Sequence, residues 1–470
     1  MKPFRVLFIK PPDNDVNVLS LDVPLGIMYL SACLKRDLPD HVRTEMIDLR
    51  LEKSIAPALK DKIRQVDPDL IGISLLTFNQ SFLMQYLAFI RKLTPRAKII
   101  IGGPGATYSS RELLQEHQQI DAAILGEGEA VFSRLVKSLL YDGRIRDMPG
   151  LARPDKTGPI VNQRQEYIAD LDSLPFPDYD LIPFERYWGE KRHGQMNGVL
   201  AHNKYTHIIS SRACPFHCIY CHNIFGKKLR RRSPENFVAE MEWLHDTWGI
   251  REFHIVDDVF NFDRPRMHAI LNRVIDRKLK IKLAFPNGLR ADMLETADLD
   301  LLKRAGAYMV TFAIETASPR IQKMIRKNLN IDKVRENIDY ASSIGLLVKG
   351  FFMLGFPGET PAEIQRTIDF AVRSRLDLAH FFTVTPFPGT ALRELARQTY
   401  PDWQDEALYH YWPDKPFYQQ ATGYNLNRVQ KLAYLKFYGS LRTIKTFYKI
   451  PLKRQRVKKW GKFATEVLWK

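Results

Sequence analysis

Three of the four cysteines of the 470-residue chain fall within eight residues, in the run Ser210-Ser211-Arg212-Ala213-Cys214-Pro215-Phe216-His217-Cys218-Ile219-Tyr220-Cys221. With one further cysteine, Cys33, such crowding does not make a disulfide framework and reads as a metal or redox site. The spacing Cys-x-x-x-Cys-x-x-Cys lets one loop turn three thiolates onto three irons of a 4Fe–4S cubane, leaving the fourth iron without a protein ligand. Clusters that only carry electrons normally take four cysteines, so an open iron points to one that binds a reactant. A zinc site is the alternative, with His217 or His222 as fourth donor, but structural zinc loops usually pair two separated ligand couples. Cys33 lies in an apolar helical pattern with Tyr29, Leu30, Ala32 and Leu34 and reads as a core residue.

A loop that presents three thiols has to be held by rigid elements, and the chain supplies two sets of them. The first 145 residues alternate strand and helix, with strands expected at Phe4–Ile9, His41–Ile47, Asp69–Ser74, Lys98–Ile101 and Ala122–Leu125. Helices are expected at Leu25–Lys35, Ser54–Gln65 and Ser81–Lys92. This alternation predicts a doubly wound parallel sheet, whose ligands bind beyond the carboxyl ends of the strands. Glycine-rich turns lie there: Gly102-Gly103-Pro104-Gly105 and Gly126-Glu127-Gly128-Glu129. Residues 146–200, with prolines 149, 154, 159, 175, 177 and 183, read as a connector. Alternation resumes with strands at Thr206–Ser210, Glu252–Val256, Lys282–Phe285, Met309–Ile314, Leu347–Met353 and Ala379–Val384. Six such units over 201–395 suggest a partial (β/α)6 barrel, followed over 396–470 by an aromatic-rich helical region with a basic end.

Composition bounds the rest. A chain of this length needs two or three cores. The four-residue apolar run near the N-terminus is too short for a signal peptide, and no window is long enough for a membrane span, so cytoplasmic location is the expectation. A formal charge of +17 attracts anions, and part of it is local, in Arg230, Arg231 and Arg232 and in the tail from Lys445 to Lys470. A solvated basic surface is the plain reading of that tail, a peripheral membrane contact is the second, and nucleic acid is the weakest.

With Tyr220 immediately before the last cysteine, the cysteine run resembles the signature of the radical S-adenosylmethionine superfamily. That resemblance implies a 4Fe–4S cluster on Cys214, Cys218 and Cys221, S-adenosylmethionine on the open iron, and a partial barrel. Further segments resemble the family's cofactor-binding loops. Asp257 or Asp258 after the second barrel strand suits the methionine ammonium, and Arg290 suits its carboxylate. Glu315 suits the ribose, and Gly355, in Gly355-Phe356-Pro357-Gly358-Glu359, suits adenine. The competing reading of each is a surface charge capping the next helix.

The N-terminal sheet resembles the flavodoxin-like cobalamin-binding domain that precedes many enzymes of this family. The segments that carry this are Pro24-Leu25-Gly26, Ser74-Leu75-Leu76-Thr77, Gly102-Gly103-Pro104-Gly105-Ala106-Thr107 and Gly126-Glu127-Gly128-Glu129. The implied cobalamin-binding residues are Thr77, Gly102, Gly103, Gly126, Glu127, Gly128 and Glu129. The string Asp-x-His-x-x-Gly of cobalamin domains with a histidine on cobalt is absent, which matches the branch that binds cobalamin without one. A second cysteine set, needed for methylthiotransfer, is absent too. The resemblance therefore implies a class B radical S-adenosylmethionine methyltransferase that methylates an unactivated carbon of a small molecule, where a hydrophobic one would fit, and draws electrons from a flavodoxin or ferredoxin. Two other functions fit parts of the pattern: an oxidative cyclase like that of anaerobic porphyrin synthesis, and a non-catalytic cobalamin sensor, which has no use for an open iron.

Overall fold

The computed structural model describes residues 2–12, 21–163, 167–189, 199–404 and 415–440, with Thr446, Lys449 and Pro451 besides. They form two compact units, one of residues 2–189 with Asn223–Gly226, the other of 199–222, 227–404 and 415–440.

The first unit is built on a sheet of seven strands: β1 (Phe4–Lys10), β2 (Val42–Asp48), β3 (Leu70–Ser74), β4 (Lys98–Gly102), β5 (Ala122–Ile124), β6 (Leu151–Arg153) and β7 (Ile160–Val161). Their spatial order is β2-β1-β3-β4-β5-β6-β7, the first five parallel. Neighbouring residues of one strand feed opposite layers, as a period of two requires. Leu7, Ile9, Ile71, Ile73, Ile99 and Ile101 pack on the helices Ile55–Val66 and Ser81–Leu93. Val6, Phe8 and Ile100 pack instead on Leu25–Asp37 and Glu129–Asp142. The expected strands and helices are all present to within two residues. The connector reading of 146–200 needs correction, because β6 and β7 add two antiparallel strands to the sheet. Pro149, Pro154 and Pro159 fall just outside these strands, so they bound them and cost no ladder hydrogen bond.

The second unit carries β8 (Tyr205–Ile208), the short antiparallel pair β9 (Ser211–Arg212) and β10 (Arg230–Arg231), then β11 (Glu252–Ile255), β12 (Lys282–Leu289), β13 (Ala307–Glu315), β14 (Leu347–Leu354) and β15 (Leu378–Thr383). Its six-stranded sheet runs β15-β14-β13-β12-β11-β8, all parallel and in chain order. Strands in chain order with a helix between each pair are wound in one direction, as in a barrel. Phe352 packs outward on Phe370 of the helix Pro361–Arg373, which starts at a Thr360–Glu363 capping box.

Six strands leave an open edge at β15, and the C-terminal region covers it. In the helix Leu426–Tyr438, Tyr434 and Tyr438 accept the Phe381 and Ala379 N–H groups at 3.1 Å, and Gln430 donates to the Phe381 carbonyl at 2.6 Å. An edge satisfied by side chains does not recruit another strand. These aromatics serve as a cap on the sheet; Tyr409, Tyr411, Trp412, Phe447, Tyr448 and most of the basic tail lie outside the described residues.

At Gly103, φ is +89° and a Cβ would lie 2.6 Å from the Leu75 carbonyl oxygen. Gly103→Ala is therefore expected to cost about 2 kcal/mol or more in a urea melt. At Gly102 the nearest atom to a Cβ is 4.0 Å away, and Gly102→Ala should leave the melt within about 0.5 kcal/mol of the parent. Equal destabilisation by the two would contradict this reading.

Candidate active site

The cysteine loop leaves β9 and is locked at its root by a buried carboxylate. Asp257, just after β11, accepts the Ser210 N–H at 2.6 Å and the Ser210 and Ser211 hydroxyls at 2.5 Å each. Arg266 bridges the same root, donating to the Ser210 carbonyl at 2.8 Å and the Arg232 carbonyl at 2.8 Å. Burial pushes the Asp257 carboxyl up, against the pull of those donors and Arg266. Both Asp257 oxygens are thus occupied by the loop. Ala213, immediately before Cys214, has φ +77° and makes the turn that brings the thiols round.

Beyond the root, the loop docks on the turn Ile325-Arg326-Lys327-Asn328. The Ile219 N–H donates to the Ile325 carbonyl at 3.1 Å, and the Cys218 thiol lies 3.9 Å from the Arg326 carbonyl. Tyr220 donates to Glu315 Oε1 at 3.1 Å, and the Lys327 ammonium reaches Glu315 at 3.1 Å and Tyr220 at 3.2 Å. Glu315 is therefore engaged within the protein, in a left-handed conformation (φ +65°) at a break in the β13–β14 register. Arg290 is engaged as well. Its guanidinium stacks on Phe216 at 3.9 Å, and it donates to Asp292 at 3.1 Å and to the Lys327 carbonyl at 2.8 Å. Asp257, Glu315 and Arg290 thus all help to hold the loop in place. Lys327 was missed because nothing in its neighbourhood marks it; it meets Tyr220 across 107 residues of sequence.

The thiols differ in environment. The neighbouring Cys221 thiol holds Cys218 down to about 6, and Cys218 together with burial pushes Cys221 up. Burial raises Cys214. His222 Nε2 is 2.9 Å from the Pro388 carbonyl and His217 faces solvent. Among the described residues no group of three or more His, Cys, Asp or Glu is placed to hold a single metal ion. A donor set of three thiols with no fourth side chain suits a cubane with an open iron better than a zinc ion. Asp258 makes no hydrogen bond or ion pair among the described residues, and burial, followed by the charge of Asp257, raises it to about 6. It is the carboxylate at this edge left for a ligand. The Gly355 N–H and the Phe356 N–H are taken by Glu359 at 2.7 and 3.0 Å, and a Cβ on Gly355 would lie 2.7 Å from Leu426 and Tyr418. Packing on the C-terminal helices accounts for a glycine here.

The face of the barrel sheet turned away from the helices carries Thr311, Lys349, Phe351, His380 and Phe382 on neighbouring strands. His380 stacks on Phe351 with centroids 5.8 Å apart and is held down to about 3, by burial first and then by the Lys349 ammonium. Sequence patterning missed this group because both strands read as uniformly buried.

In the first unit the loops after β3, β4 and β5 meet at the carboxyl edge, where a parallel sheet of this order binds ligands. The Leu75 N–H donates to the Gly102 carbonyl and the Gly105 N–H to the Leu75 carbonyl. Gly103 is thus required by backbone contact, and Gly128 packs against Leu30. Gly126, at φ +76°, donates to the Thr107 hydroxyl at 3.1 Å. Glu127 accepts the Ile168 N–H at 2.9 Å. Glu129 is buried in the first turn of its helix, where a carboxylate meets the positive end of the dipole. Thr77 is buried, and a Cβ on Gly102 would meet nothing closer than Ile124 at 4.0 Å. The absence of a side chain at this strand end suits the close approach of a large planar cofactor. His41 and His117 precede β2 and β5 and so lie at the opposite, amino edge, consistent with cobalamin bound without a histidine from this sheet.

Two tests follow from this geometry. Gly102→Ala should weaken cobalamin retention at least tenfold in equilibrium dialysis without lowering stability; unchanged retention would remove Gly102 from the site. His380, depressed in the folded state, contributes stability that is complete above about pH 6.5 and is lost as pH falls toward 3. His380→Phe should flatten that part of the acid-unfolding curve by on the order of a few kcal/mol, and a parallel curve would contradict the buried neutral ring.

Comparison with known proteins agrees with both units. Residues 208–371 match the model of the radical SAM superfamily, and residues 16–136 match that of the B12 binding domain. The chain is 30% identical over 402 residues to an uncharacterized methyltransferase of Pyrococcus horikoshii, covering 84% of each. It is 32% identical over 381 residues to the cytidylyl-2-hydroxyethylphosphonate methyltransferase of Streptomyces wedmorensis, covering 74% of this chain and 70% of that one. The solved radical S-adenosylmethionine methyltransferase TsrM of Kitasatospora setae, with cobalamin and a [4Fe-4S] cluster bound, superposes with a TM-score of 0.68 at 19% identity, covering 84% and 78% of the two chains. The chain belongs to the cobalamin-dependent radical S-adenosylmethionine family, whose cofactors are a 4Fe–4S cluster, S-adenosylmethionine and cobalamin.

Proposed function

We propose that this chain methylates a carbon of a small molecule, with Cys214, Cys218 and Cys221 holding the cluster. The observation that carries the reading is the three-thiol loop, fixed at its root and along its length, in a chain that also has a cobalamin-type sheet. When bound, the cluster and S-adenosylmethionine supply radical initiation, and cobalamin supplies the methyl group. The protein's own residues orient and exclude water. Asp258, the open carboxylate beside Cys214, is suited to an ammonium; Asp257 and Arg266 keep the loop from rearranging; Tyr220 and Lys327 keep Glu315 from swinging toward solvent. The sheet face with Lys349 and His380 beside Phe351 and Phe382 supports a substrate with both an apolar and a hydrogen-bonding part. That departs from a purely hydrophobic one. A flavodoxin- or ferredoxin-type protein is the reductant this chemistry requires. No helix among the described residues is long and apolar enough to cross a membrane.

Anaerobic incubation of the reconstituted enzyme with methylcobalamin, trideuteromethyl S-adenosylmethionine and a metabolite extract from a strain lacking the gene tests the reading. A metabolite should appear that carries a labelled methyl group and is absent with Cys218→Ala. A new product without an added carbon would replace methyl transfer by the cyclising reaction, and failure to cleave S-adenosylmethionine would leave a binding protein.

A further inference from the structure

The turn under the cysteine loop is built with unusual insistence for a connection between two helices. Arg326 and Asn328 both adopt left-handed conformations, at φ +57° and +51°, which cost non-glycine residues stability and persist only where surroundings enforce them. Gln322 supplies the enforcement. Its buried side chain donates to the Ile314 carbonyl at 2.9 Å and the Thr316 carbonyl at 2.6 Å, and accepts the Leu329 N–H at 3.2 Å. The Gln322 carbonyl accepts the Lys327 and Asn328 N–H groups. One side chain thereby ties the turn to the end of β13, where Glu315 sits, while Arg290 holds the Lys327 carbonyl from the other side.

The product of this construction is a fixed cation. The Lys327 side chain is 12% exposed, its ammonium bound to Glu315 and Tyr220 and 5.9 Å from the Tyr220 ring. The turn that carries it lies against the cluster loop, with the Ile219 N–H on the Ile325 carbonyl at 3.1 Å and the Cys218 thiol 3.9 Å from the Arg326 carbonyl. A neutralising partner for Glu315 needs neither the left-handed turn nor the contact with Tyr220. We infer that Lys327 is a positioning residue whose ammonium, held by Glu315 and Tyr220 on the Gln322-tied turn, raises the reduction potential of the cluster on the neighbouring loop. The physical reason is Coulombic: a positive charge close by in a poorly screened site stabilises the added electron, and the adjacent Glu315 charge opposes it. The inference rests on the cluster assignment proposed above.

The test is an anaerobic redox titration of the reconstituted full chain, followed by the electron paramagnetic resonance of the reduced cluster, with iron and sulfide counted per chain. Lys327→Met should shift the midpoint to lower potential at unchanged iron content, Glu315→Gln should shift it to higher potential, and Lys327→Arg should lie close to the parent. A midpoint unmoved in Lys327→Met, or moved in the same direction by Lys327→Met and Glu315→Gln, overturns the inference, since general distortion has no reason to follow the sign of the charge removed. If Lys327→Met fails to retain iron, the upward shift of Glu315→Gln and the near-parent value of Lys327→Arg decide the matter. An unmodified chain that binds no cluster overturns the proposed function, and a cluster whose potential ignores both charges overturns only the inference.

Discussion

The carboxylate of Asp257 is the constraint from which the rest of the barrel site follows. Removing a charge from water costs several kcal/mol, and Asp257 is 2% exposed. Its three short hydrogen bonds, each worth roughly 1.5–3 kcal/mol as a bond to a charged group, offset much of that cost. The bonds are useful only in one arrangement, because Ser210 and Ser211 present one backbone and two hydroxyl donors to the same side. The strand end of β11 thus dictates where the cysteine loop begins. A loop anchored this way can present three thiols without collapsing into the barrel.

Strain is placed beyond that anchor. Ala213, Glu315, Arg326 and Asn328 are four of the seven non-glycine residues with positive φ among the described residues, and all lie on or against the cysteine loop. At about 1–3 kcal/mol each such positions are expensive. They are held by groups that make several bonds at once, Gln322 beneath the turn and Arg290 between Phe216 and Lys327. Rigid strands and overdetermined loops are what a radical reaction asks of a scaffold, since reactive groups have to be held apart from water and from each other.

Much of the fold was legible from residue patterns. The unbroken apolar run Val6 to Ile9 and the DLIGIS and KIII runs carry their strands openly, because parallel strands covered on both faces must be apolar throughout. The short β6 and β7 were not, since strands of three and two residues between prolines leave no periodicity to read. At the site, the cysteine spacing is a local signal and was legible. The contacts by which Asp257, Arg290 and Glu315 hold the loop were not, because an acid or base at a strand end looks the same whichever partner it meets. Lys327 and His380 depend on pairings between distant segments, which no window of sequence contains.

The central claim is that three thiols of one loop hold a cubane whose fourth iron binds S-adenosylmethionine. Mössbauer spectroscopy of the 57Fe-reconstituted chain measures this directly. The account predicts a diamagnetic four-iron spectrum in which, on adding S-adenosylmethionine, one iron in four moves to a larger isomer shift. Four irons that remain equivalent with the ligand present, or a spectrum without cluster iron, would contradict it.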